Sequence, residues 1–368
     1  MKFALFYEIP VAQPWAADSE HRAFKNTLEQ AVLGEQAGFD SFWSVEHHFL
    51  EEYSHCSNPE VLYGAVAAKT SRMRIGYGVR LGPKPYNHPV RSAESAAVLD
   101  LISDGRVEFG TGRSSTRIEM EGFGVHPNDT RGMWQEAVGQ IVHCWTNDVA
   151  EFSGKHWQLP PRRVLPKPLQ RPHPPVWGAT GSPDGHTMMG ELGLGLLSFS
   201  VGTPPEQLKE RIGLYRAGIA RCEKPLGAFI NNRAAAFTMV NCASTRDESY
   251  AASRESFQWY ARRSAELVAS IPQWLEEMKA KADGTYAYLD QAKQAVESRL
   301  HELASLDALL GLNAVIAGDP GEVLERSKAY EATGADLLLC LVNPYKISHK
   351  QVMQTIELMG KHVLPEFA

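Results

Sequence analysis

Cysteine is scarce in this sequence and is never clustered. The 368 residues contain five cysteines, an odd number, and they lie far apart. No pair has the C-x-x-C spacing of a thiolate zinc site or a redox dithiol, so we expect neither a zinc site nor a disulfide framework. A chain without disulfides is typical of a reducing compartment, and we predict a cytoplasmic location. The cysteines are Cys56, Cys144, Cys222, Cys242 and Cys340.

Long apolar runs and blocks of positive charge are also missing. No run of about 18 apolar residues is present, so we expect no contact with a membrane. Glu8 and Pro10 follow the first apolar residues too soon for a signal peptide. The 37 Lys and Arg residues are outnumbered by 43 Asp and Glu residues, which gives a net charge of −6. This balance argues against nucleic-acid binding. With 43% hydrophobic residues, the chain is globular rather than disordered.

What the sequence does have is a regular alternation of short apolar runs and longer amphipathic stretches. The alternation is typical of parallel strands joined by helices in right-handed crossovers. Eight strands in one series favour a (β/α)8 barrel over an open doubly wound sheet. The predicted helices include 22–37, 59–69, 89–102 and 132–145, and the predicted strands are 3–9, 41–46, 74–81, 107–112, 176–180, 195–201, 234–242 and 336–342.

The alternation is interrupted after the seventh predicted strand. Residues from about 245 to 312 are charged and helical in pattern, which is too long for one crossover. We therefore predict an insertion after strand seven, within a single domain that spans residues 1–368. An insertion at this end of a barrel is a candidate lid over a substrate. Its aromatic residues include Trp259, Tyr260, Trp274, Tyr286 and Tyr288.

The strand ends carry the candidate site residues, because barrels form their sites at the carboxyl ends of the strands. Strand two leads into Glu46, His47 and His48. Neighbouring residues at a strand end point to opposite sides, so at most one histidine faces the barrel axis. A buried acid beside two histidines is costly unless it is paired or used. Either Glu46 orients a structural histidine, or one histidine takes part in chemistry.

Strands four and five lead into residues that suit an anion. Arg113 follows strand four, and Arg131 opens a predicted helix. Strand five leads into a helix start, where free N–H groups and a Ser hydroxyl can bind a phosphate. Surface pairing of Arg113 with Glu119 or Glu121, and simple capping by Ser182, would explain the same residues. The convergence of two guanidinium groups and one helix start favours a phosphate site. The strand-five residues are Thr180, Gly181 and Ser182.

Glycines and aromatic residues mark other strand ends. Gly76 and Gly78 lie in strand three, where glycine often allows a flat ligand or another backbone to come close. Phe6, Tyr7 and Phe199 are candidates for the floor of an apolar pocket, although aromatics at strand spacing also form cores. The Gly-x-Gly that ends at Gly112 lacks the third glycine of a dinucleotide fingerprint, so we expect no Rossmann-type site.

Together these segments identify a family. The chain resembles the bacterial luciferase-like flavin-dependent monooxygenases nearly from end to end. The late segment GDPGEV at 318–323 is similar to the family's Gly-Thr-Pro-Glu-Glu-Val helix start, with two changes. The other matching segments are MKF at 1–3, GFDSFW at 38–43, EHHF at 46–49, NP at 58–59, HPVR at 88–91 and DGRVEFG at 104–110.

The resemblance implies a barrel that holds FMN at its carboxyl-terminal mouth. It implies that reduced FMN adds O2 at its C4a carbon and that the hydroperoxide transfers one oxygen to a small, apolar organic substrate. His47 resembles the catalytic histidine, which would manage the peroxyflavin proton, with Glu46 setting its tautomer. Trp259 resembles an aromatic residue near the flavin, and with Tyr7 and Phe199 it is our candidate for substrate contact. The implied cofactor-binding residues are Gly78 and Val79, which match a non-prolyl cis peptide, and Arg113, Arg131, Thr180, Gly181 and Ser182.

The resemblance also bears on partners and on competing functions. A separate NAD(P)H:flavin reductase would supply reduced FMN, and the family is often dimeric, so we expect a homodimer. Gly112 and Phe199 stand where bacterial luciferase has a cysteine and a tryptophan, so light emission is not implied. Three alternatives stay open: a deazaflavin (F420)-dependent oxidoreductase, a non-catalytic FMN-binding protein, and a metal-dependent barrel hydrolase that uses His47 or His48. No H-x-H or H-E-x-x-H spacing supports the hydrolase.

Overall fold

The computed structural model describes residues 1–199, 201–279 and 305–367. The strands in these residues are β1 (Lys2–Tyr7), β2 (Ser41–Ser44), β3 (Arg74–Tyr77), β4 (Arg80–Leu81), β5 (Val107–Gly112), β6 (Ala150–Ser153), β7 (Gln158–Arg162), β8 (Val176–Thr180), β9 (Gly195–Ser198), β10 (Ala234–Cys242), β11 (Ile316–Gly318) and β12 (Leu337–Leu341). Eight of them form a closed ring of parallel pairs in the order β1-β2-β3-β5-β8-β9-β10-β12, and β12 pairs with β1. The predicted (β/α)8 barrel is confirmed.

Helices cover the outside of the ring, and local sequence signals start several of them. Ser182 caps one helix by accepting the N–H of Gly185 at 3.1 Å. Asp319 caps another by accepting the N–H groups of Gly321 and Glu322. A helix N-terminus leaves free donors that such caps satisfy. The helices are α1 (Ser19–Ala37), α2 (Pro59–Lys69), α3 (Pro89–Ile102), α4 (Arg117–Gly122), α5 (Thr130–Thr146), α6 (Pro183–Glu191), α7 (Pro205–Ala220), α8 (Arg246–Lys279), α9 (Leu306–Gly311), α10 (Pro320–Glu331) and α11 (His349–His362).

The third predicted strand, 74–81, is divided in the structure. β3 ends at Tyr77 and β4 begins at Arg80, with a cis peptide bond between Gly78 and Val79. The N–H of Gly78 still bonds to the carbonyl of Ser44 at 2.8 Å. A Cβ at Gly78 would lie 2.8 Å from the ring of Phe6 and 3.2 Å from the Ser44 carbonyl. The backbone is therefore pressed against β1 and β2 where it leaves the ring.

One hairpin was absent from the sequence prediction. β6 and β7 pair antiparallel outside the ring, between α5 and β8 in the chain. β7 contains Pro160 and Pro161 and is largely exposed. Proline lacks the N–H for a ladder but is tolerated in an edge strand, so a sequence pattern of buried and exposed residues does not reveal this element.

The predicted insertion is helical where the structure describes it. α8 runs from Arg246 to Lys279 and α9 from Leu306 to Gly311. Trp259, Tyr260 and Trp274 lie on α8. Residues 280–304, which include Tyr286 and Tyr288, lie outside the described residues. None of the helices in the described part of the chain is long and apolar enough to cross a membrane.

The two ends of the barrel interior differ in chemistry. Near the amino end, the buried carboxylate of Glu108 accepts bonds from Arg74 at 2.5 Å, Arg233 at 2.6 Å and Trp177 at 2.7 Å. Farther along the barrel axis, the aromatic rings of Phe6 and Phe199 pack together, with their centroids 5.3 Å apart. The charge of Glu108 is thus paired with two guanidinium groups at this end of the barrel. The open carboxyl end contains the candidate site.

Candidate functional site

His47 lies just after β2, at the carboxyl end of the barrel, and its imidazole stands between two carboxylates. Its Nδ1 is 2.9 Å from Oε1 of Glu119, and its Nε2 is 3.6 Å from Oε2 of Glu8. The side chain of His47 is 18% exposed, whereas Glu119 is 0% and Glu8 is 4% exposed. One histidine edge is therefore fixed by a hydrogen bond, and the other faces an acid at the end of β1.

Glu119 is held rigidly because all its nearby donors converge on it. The N–H of His48 donates to Oε1 at 3.0 Å. The hydroxyls of Ser114 and Thr116 donate to Oε2 at 2.9 and 2.8 Å. Thr116 is also the N-cap of α4, where its hydroxyl accepts the N–H of Glu119. The carboxylate therefore sits near the positive end of α4 and can fix the tautomer and orientation of His47.

Glu8 is fixed from the opposite side by the insertion. The hydroxyl of Tyr260, on α8, donates to Oε1 of Glu8 at 2.8 Å. Tyr260 stacks on Tyr53 with ring centroids 5.1 Å apart, and Tyr53 meets the ring of His47 edge-on at 5.9 Å. Oε2 of Glu8 is buried and has no hydrogen-bond partner among the residues with described placement. An unsatisfied buried carboxylate oxygen is expensive and is a common mark of a functional site.

The charges of this cluster shift the pKa values of its members. Burial lowers the pKa of His47, but the carboxylates of Glu119 and Glu8 outweigh it and raise that pKa to about 9. Burial raises the pKa of Glu119, but the charge of His47 and the hydrogen bonds at this carboxylate lower it below its usual value. Burial raises the pKa of Glu8 more than His47 and Tyr260 lower it. His47 is therefore an imidazolium at neutral pH, paired with Glu119.

The orientation of His47 corrects one expectation from the sequence. The two ring nitrogens of His47 face Glu119 and Glu8, and the carboxylate of Glu46 is bound elsewhere. Its oxygens accept the N–H of Leu81 at 3.0 Å and the amide of Asn87 at 2.8 Å, and they lie 3.5 Å from His48. Glu46 therefore holds the segment after β4. Glu119, which the sequence offered as a surface partner of Arg113, is buried against His47 and does not lie on the surface.

The candidate anion-binding residues meet at adjacent strand ends. β5 pairs with β8, with Thr111 opposite Gly178, so Arg113 and Thr180 leave the ring side by side. Nη1 of Arg113 donates to the hydroxyl of Thr130 at 3.3 Å, next to Arg131 at the start of α5. The Arg113 guanidinium thus lies at the start of α5, and Arg113 leaves the ring beside the strand that leads into α6. This donor set has the charge and the hydrogen bonds that a phosphate monoester requires.

The start of α6 is fixed by a residue that the sequence analysis did not single out. His186 is fully buried, with Nδ1 2.7 Å from the carbonyl of Ser182 and Nε2 2.9 Å from the hydroxyl of Ser198. Burial lowers the pKa of His186 to about 4, so its ring is neutral. Arg211, also missed, donates to the carbonyl of Gly181 at 3.2 Å. A histidine inside a helical pattern gives no signal in the sequence that it tethers a neighbouring strand.

Gly78 and Val79 border the site with the cis peptide bond described above. The side chain of Val79 fills the space beside Gly112: a Cβ there would lie 2.4 Å from Cγ2 of Val79. The cysteine that bacterial luciferase has at this position would collide with Val79 here. The glycine is thus explained by packing against the cis segment, while the contact of Gly78 and Val79 with a cofactor stays a prediction.

The aromatic candidates separate into two groups. Phe199 packs on Phe6 and Phe237 inside the ring. Tyr7 points the other way, since it stacks on Phe42 at 5.1 Å in the layer between β2 and α2. Alternation along a strand puts Phe6 and Glu8 on the inner face and Tyr7 on the outer face. The structure therefore does not bring Tyr7 to His47.

Trp259 forms part of the wall at the mouth. Its ring lies flat on Tyr345 with centroids 3.9 Å apart and an interplanar angle of 5°, and it is 6.2 Å from Tyr53. Trp259 and Tyr53 line an open cavity of about 200 Å³ together with Arg262 and Arg263. In the ranges whose placement is described, no group of three or more His, Cys, Asp and Glu residues is arranged to hold a metal ion.

Comparison with known proteins places this geometry in context. A family model described as "Luciferase-like monooxygenase" matches residues 1–337. The oxygenase component of the flavin-dependent trigonelline monooxygenase of Acinetobacter baylyi is 24% identical over 373 residues, covering 100% of this chain and 96% of that protein.

Solved structures of two kinds share the fold. The oxygenating constituent of 3,6-diketocamphane monooxygenase from Pseudomonas putida, in complex with FMN, has a TM-score of 0.76 at 21% identity, covering 100% of this chain and 98% of the other. An F420-dependent secondary alcohol dehydrogenase, in complex with an F420-acetone adduct, has a TM-score of 0.70 at 21% identity, covering 98% of both chains.

Proposed function

We propose that this chain, which belongs to the luciferase-like monooxygenase family, is the FMN-dependent oxygenase of a two-component monooxygenase. The observation that carries the proposal is the placement of His47 at the mouth of the barrel, with its Nδ1 2.9 Å from Oε1 of Glu119. The donor set of Arg113, Arg131 and the start of α6 supports the choice of a flavin that ends in a phosphate monoester.

Reduced FMN, when bound, would supply the electrons that activate O2 for transfer of one oxygen atom to an organic substrate. The protein's own part is to bind, orient and protonate. Arg113, Arg131, Thr180, Gly181 and Ser182 would bind the phosphate, and the backbone at Gly78 and Val79 would support the ring. His47 would donate a hydrogen bond from Nε2 toward the inside of the barrel, because its Nδ1 is committed to Glu119.

The substrate we propose is a small organic molecule that is mainly apolar. Phe6, Phe199 and Phe237 give the barrel interior an apolar floor, and Trp259 and Tyr345 form a stacked pair at the mouth. Such walls exclude water from the reacting atoms, which limits the wasteful release of H2O2.

We also propose two partners. The relative from Acinetobacter is an oxygenase component, which supports a separate NAD(P)H:flavin reductase as the source of reduced FMN. A second copy of this chain is the other partner, as a homodimer, for which the exposed face of α3 is argued in the Discussion.

An F420-dependent oxidoreductase is the second candidate, since the fold is shared with such an enzyme at a TM-score of 0.70. The two functions differ in their need for O2. The deciding experiment supplies the chain with reduced FMN, O2 and a panel of carbonyl and aromatic compounds, and identifies products by mass. A product heavier by one oxygen atom, labelled from 18O2, supports the proposal. Hydride transfer to or from F420 with no oxygen incorporated would contradict it.

The role of His47 has its own test. His47→Ala removes the imidazole without filling the space, and we expect FMN binding to be retained and oxygenation to fall by about 100-fold, as for loss of a proton-managing group. His21→Ala is the control, since His21 is a histidine on the exposed first turns of α1. Oxygenation at the original rate by His47→Ala would refute this role.

A further inference from the structure

Glu8 is a buried acid to which the family resemblance assigns no role. It directly follows β1, on the inner face of the barrel, and is 3% exposed. Buried carboxylates are normally satisfied by several donors. Glu108 at the other end of the barrel shows this, with two arginines and one indole bound. Glu8 has one bound oxygen and one oxygen facing His47.

The groups around this pair come from four separate elements. Glu8 itself follows β1, His47 and Glu46 follow β2, Glu119 lies on α4, and Tyr260 lies on α8. Tyr53, from the segment after His47, stacks on Tyr260. Glu119 takes the Nδ1 side of the imidazole at 2.9 Å, so the 3.6 Å approach of Oε2 of Glu8 concerns Nε2 alone.

We propose that Glu8 is the positioning residue for the Nε2–H of His47, with Tyr260 anchoring Glu8 so that this proton stays in place on the inner side of the barrel. The inference rests on the proposed function for its meaning, since Nε2 is the atom that would face the reacting centre. The effect of Glu8 on this proton does not depend on the proposed function. Without Glu8, a proton on Nε2 would face an apolar pocket, and the imidazole would more readily lose it.

The geometry gives each partner a distinct part. Oε1 of Glu8 is fixed by the phenol of Tyr260 at 2.8 Å, which leaves Oε2 aimed at the imidazole. Glu119 sets the ring plane through Nδ1, and three further donors fix its carboxylate. Glu119 is hydrogen-bonded to Nδ1 of the imidazole, and the carboxylate of Glu8 lies 3.6 Å from Nε2, so both edges of the ring face an acid. An imidazolium carries a proton on each nitrogen and suits this arrangement.

The test measures the proton on His47 directly, by NMR of the apo protein with 15N- and 13C-labelled histidine. The chain has 13 histidines, and the His47 signal is assigned by its loss in His47→Gln. In the wild type we expect both ring nitrogens to carry protons until the pH approaches about 9. Glu8→Gln keeps the size and the acceptor for Tyr260 but removes the charge. In Glu8→Gln we expect the midpoint of the His47 titration, the pH at which half of the His47 side chains have lost a proton, to fall by about 1 pH unit or more. Loss of an opposite charge at this distance has an effect of that size.

Two matched variants sharpen the result. Glu52→Gln neutralises an acid of the same segment as His47 that bonds instead to Tyr345 and to the N–H of Gln13, so the His47 midpoint should not move. Glu8→Asp keeps the charge but shortens the side chain, and we expect a midpoint between the wild type and Glu8→Gln. This variant also keeps the test decisive if Glu8→Gln does not fold.

The outcomes separate this inference from the proposed function. A His47 midpoint that is the same in the wild type, Glu8→Gln and Glu8→Asp would overturn the role of Glu8, whatever the flavin does. FMN affinity is measured on the same samples by fluorescence. If the wild type fails to bind FMN while Glu8→Gln still shifts His47, the proposed function fails and the coupling of Glu8 to His47 stands.

Discussion

Single residues at the barrel mouth differ from those at its base in how their charge is balanced. Glu108 at the base is bound by Arg74 and Arg233, so its charge is neutralised for stability alone. Glu119 at the mouth is paired with His47, whose other edge faces a second acid. In (β/α)8 barrels the residues of the active site lie at the carboxyl ends of the strands, while residues at the opposite end serve stability.

The pairing of His47 with Glu119 predicts how stability changes with pH. His47 has its pKa raised to about 9 in the folded state, against about 6.5 when unfolded. The folded state therefore holds this proton more tightly, and the stabilisation is complete below about pH 6.5 and is lost as the pH rises through 9. We expect the free-energy difference between the wild type and Glu119→Gln to shrink over that window, in urea unfolding at several pH values.

The control for that experiment is Glu121→Gln. Glu121 lies on the same helix, is exposed and pairs with Arg117, so its neutralisation should leave the pH dependence unchanged. A constant difference between the wild type and Glu119→Gln from pH 6 to 9.5 would show that His47 does not carry the charge.

Arg113 predicts a loss of cofactor affinity. Arg113→Ala removes a guanidinium group from the phosphate donor set, and charge-assisted bonds of this kind contribute about 1.5–3 kcal/mol. We expect FMN to bind about 10- to 100-fold more weakly, measured by fluorescence titration. Arg221→Ala is the control, because Arg221 forms an exposed pair with Glu191 on α6. Equal affinity of wild type and Arg113→Ala would remove Arg113 from the site.

Gly112 predicts a packing effect at the same strand end. Gly112→Cys places a side chain against Cγ2 of Val79, 2.4 Å from the new Cβ. The cis segment must then move, and we expect a loss of about 1–3 kcal/mol in unfolding free energy, as for an overfilled core. Gly213→Ala, in the exposed part of α7 with open space around it, should instead gain about 0.5–1 kcal/mol. Equal stability of Gly112→Cys and wild type would contradict this packing.

At the scale of secondary-structure elements, the main feature is the packing of α8 against the carboxyl ends of the strands. α8 contributes Tyr260 to the bond with Glu8 and Trp259 to the stack on Tyr345. The hydroxyl of Ser264, one turn further along α8, lies 3.0 Å from that of Tyr53, so two successive turns contact the segment after β2 or the end of the barrel. The first half of α8 is thus a wall of the site, built from an insertion rather than from the barrel itself.

This wall leads to a prediction about how much oxidation of reduced FMN is used for oxygenation rather than for release of H2O2. Trp259→Ala removes the ring that covers Tyr345 and opens the cavity of about 200 Å³ beside it. We expect FMN affinity to stay near the wild-type value, while more H2O2 is released per reduced FMN oxidised, since water reaches the reacting atoms. Trp15→Ala is the control, because Trp15 is 49% exposed and packs on His55 away from α8. Unchanged H2O2 release would exclude Trp259 from this role.

At the scale of the whole molecule, the outer face of α3 is unusually apolar. Val98 is 46%, Leu101 40% and Ile102 56% exposed, and Val61 on the adjoining α2 is 71% exposed. A contiguous exposed apolar surface marks an interaction site. Since α2 and α3 pack side by side, this surface is our candidate for the contact face of the proposed homodimer.

The dimer is tested by sedimentation of the full chain. Ile102→Lys places a charge in the assigned interface, and we expect the mass in solution to fall from that of two chains toward that of one. Leu214→Lys is the control, since Leu214 is 41% exposed on α7, away from α2 and α3. A wild-type monomer, or a dimer that Ile102→Lys leaves intact, would contradict the assignment.

The sequence by itself determined the barrel and several of its helix ends. Apolar runs of strand length, separated by helices with clear caps, are local signals, so the eight strands and helices α2 and α3 were predicted with few changes. The same signals located His47 at a strand exit, because neighbouring residues in the chain carry that information. They failed for the hairpin of β6 and β7, whose exposed residues carry no periodic burial.

Only the tertiary structure decided which acids meet His47. Glu8, Glu119 and Tyr260 approach from three elements, and Tyr260 lies 252 positions from the acid that it binds. The nearest acid in the chain, Glu46, faces the segment after β4 instead. Closure of the ring, not proximity in sequence, sets these distances, because each strand end projects its side chains into one shared mouth. A sequence pattern records which residues are buried, whereas the partner of a buried charge is fixed by the packing of distant elements.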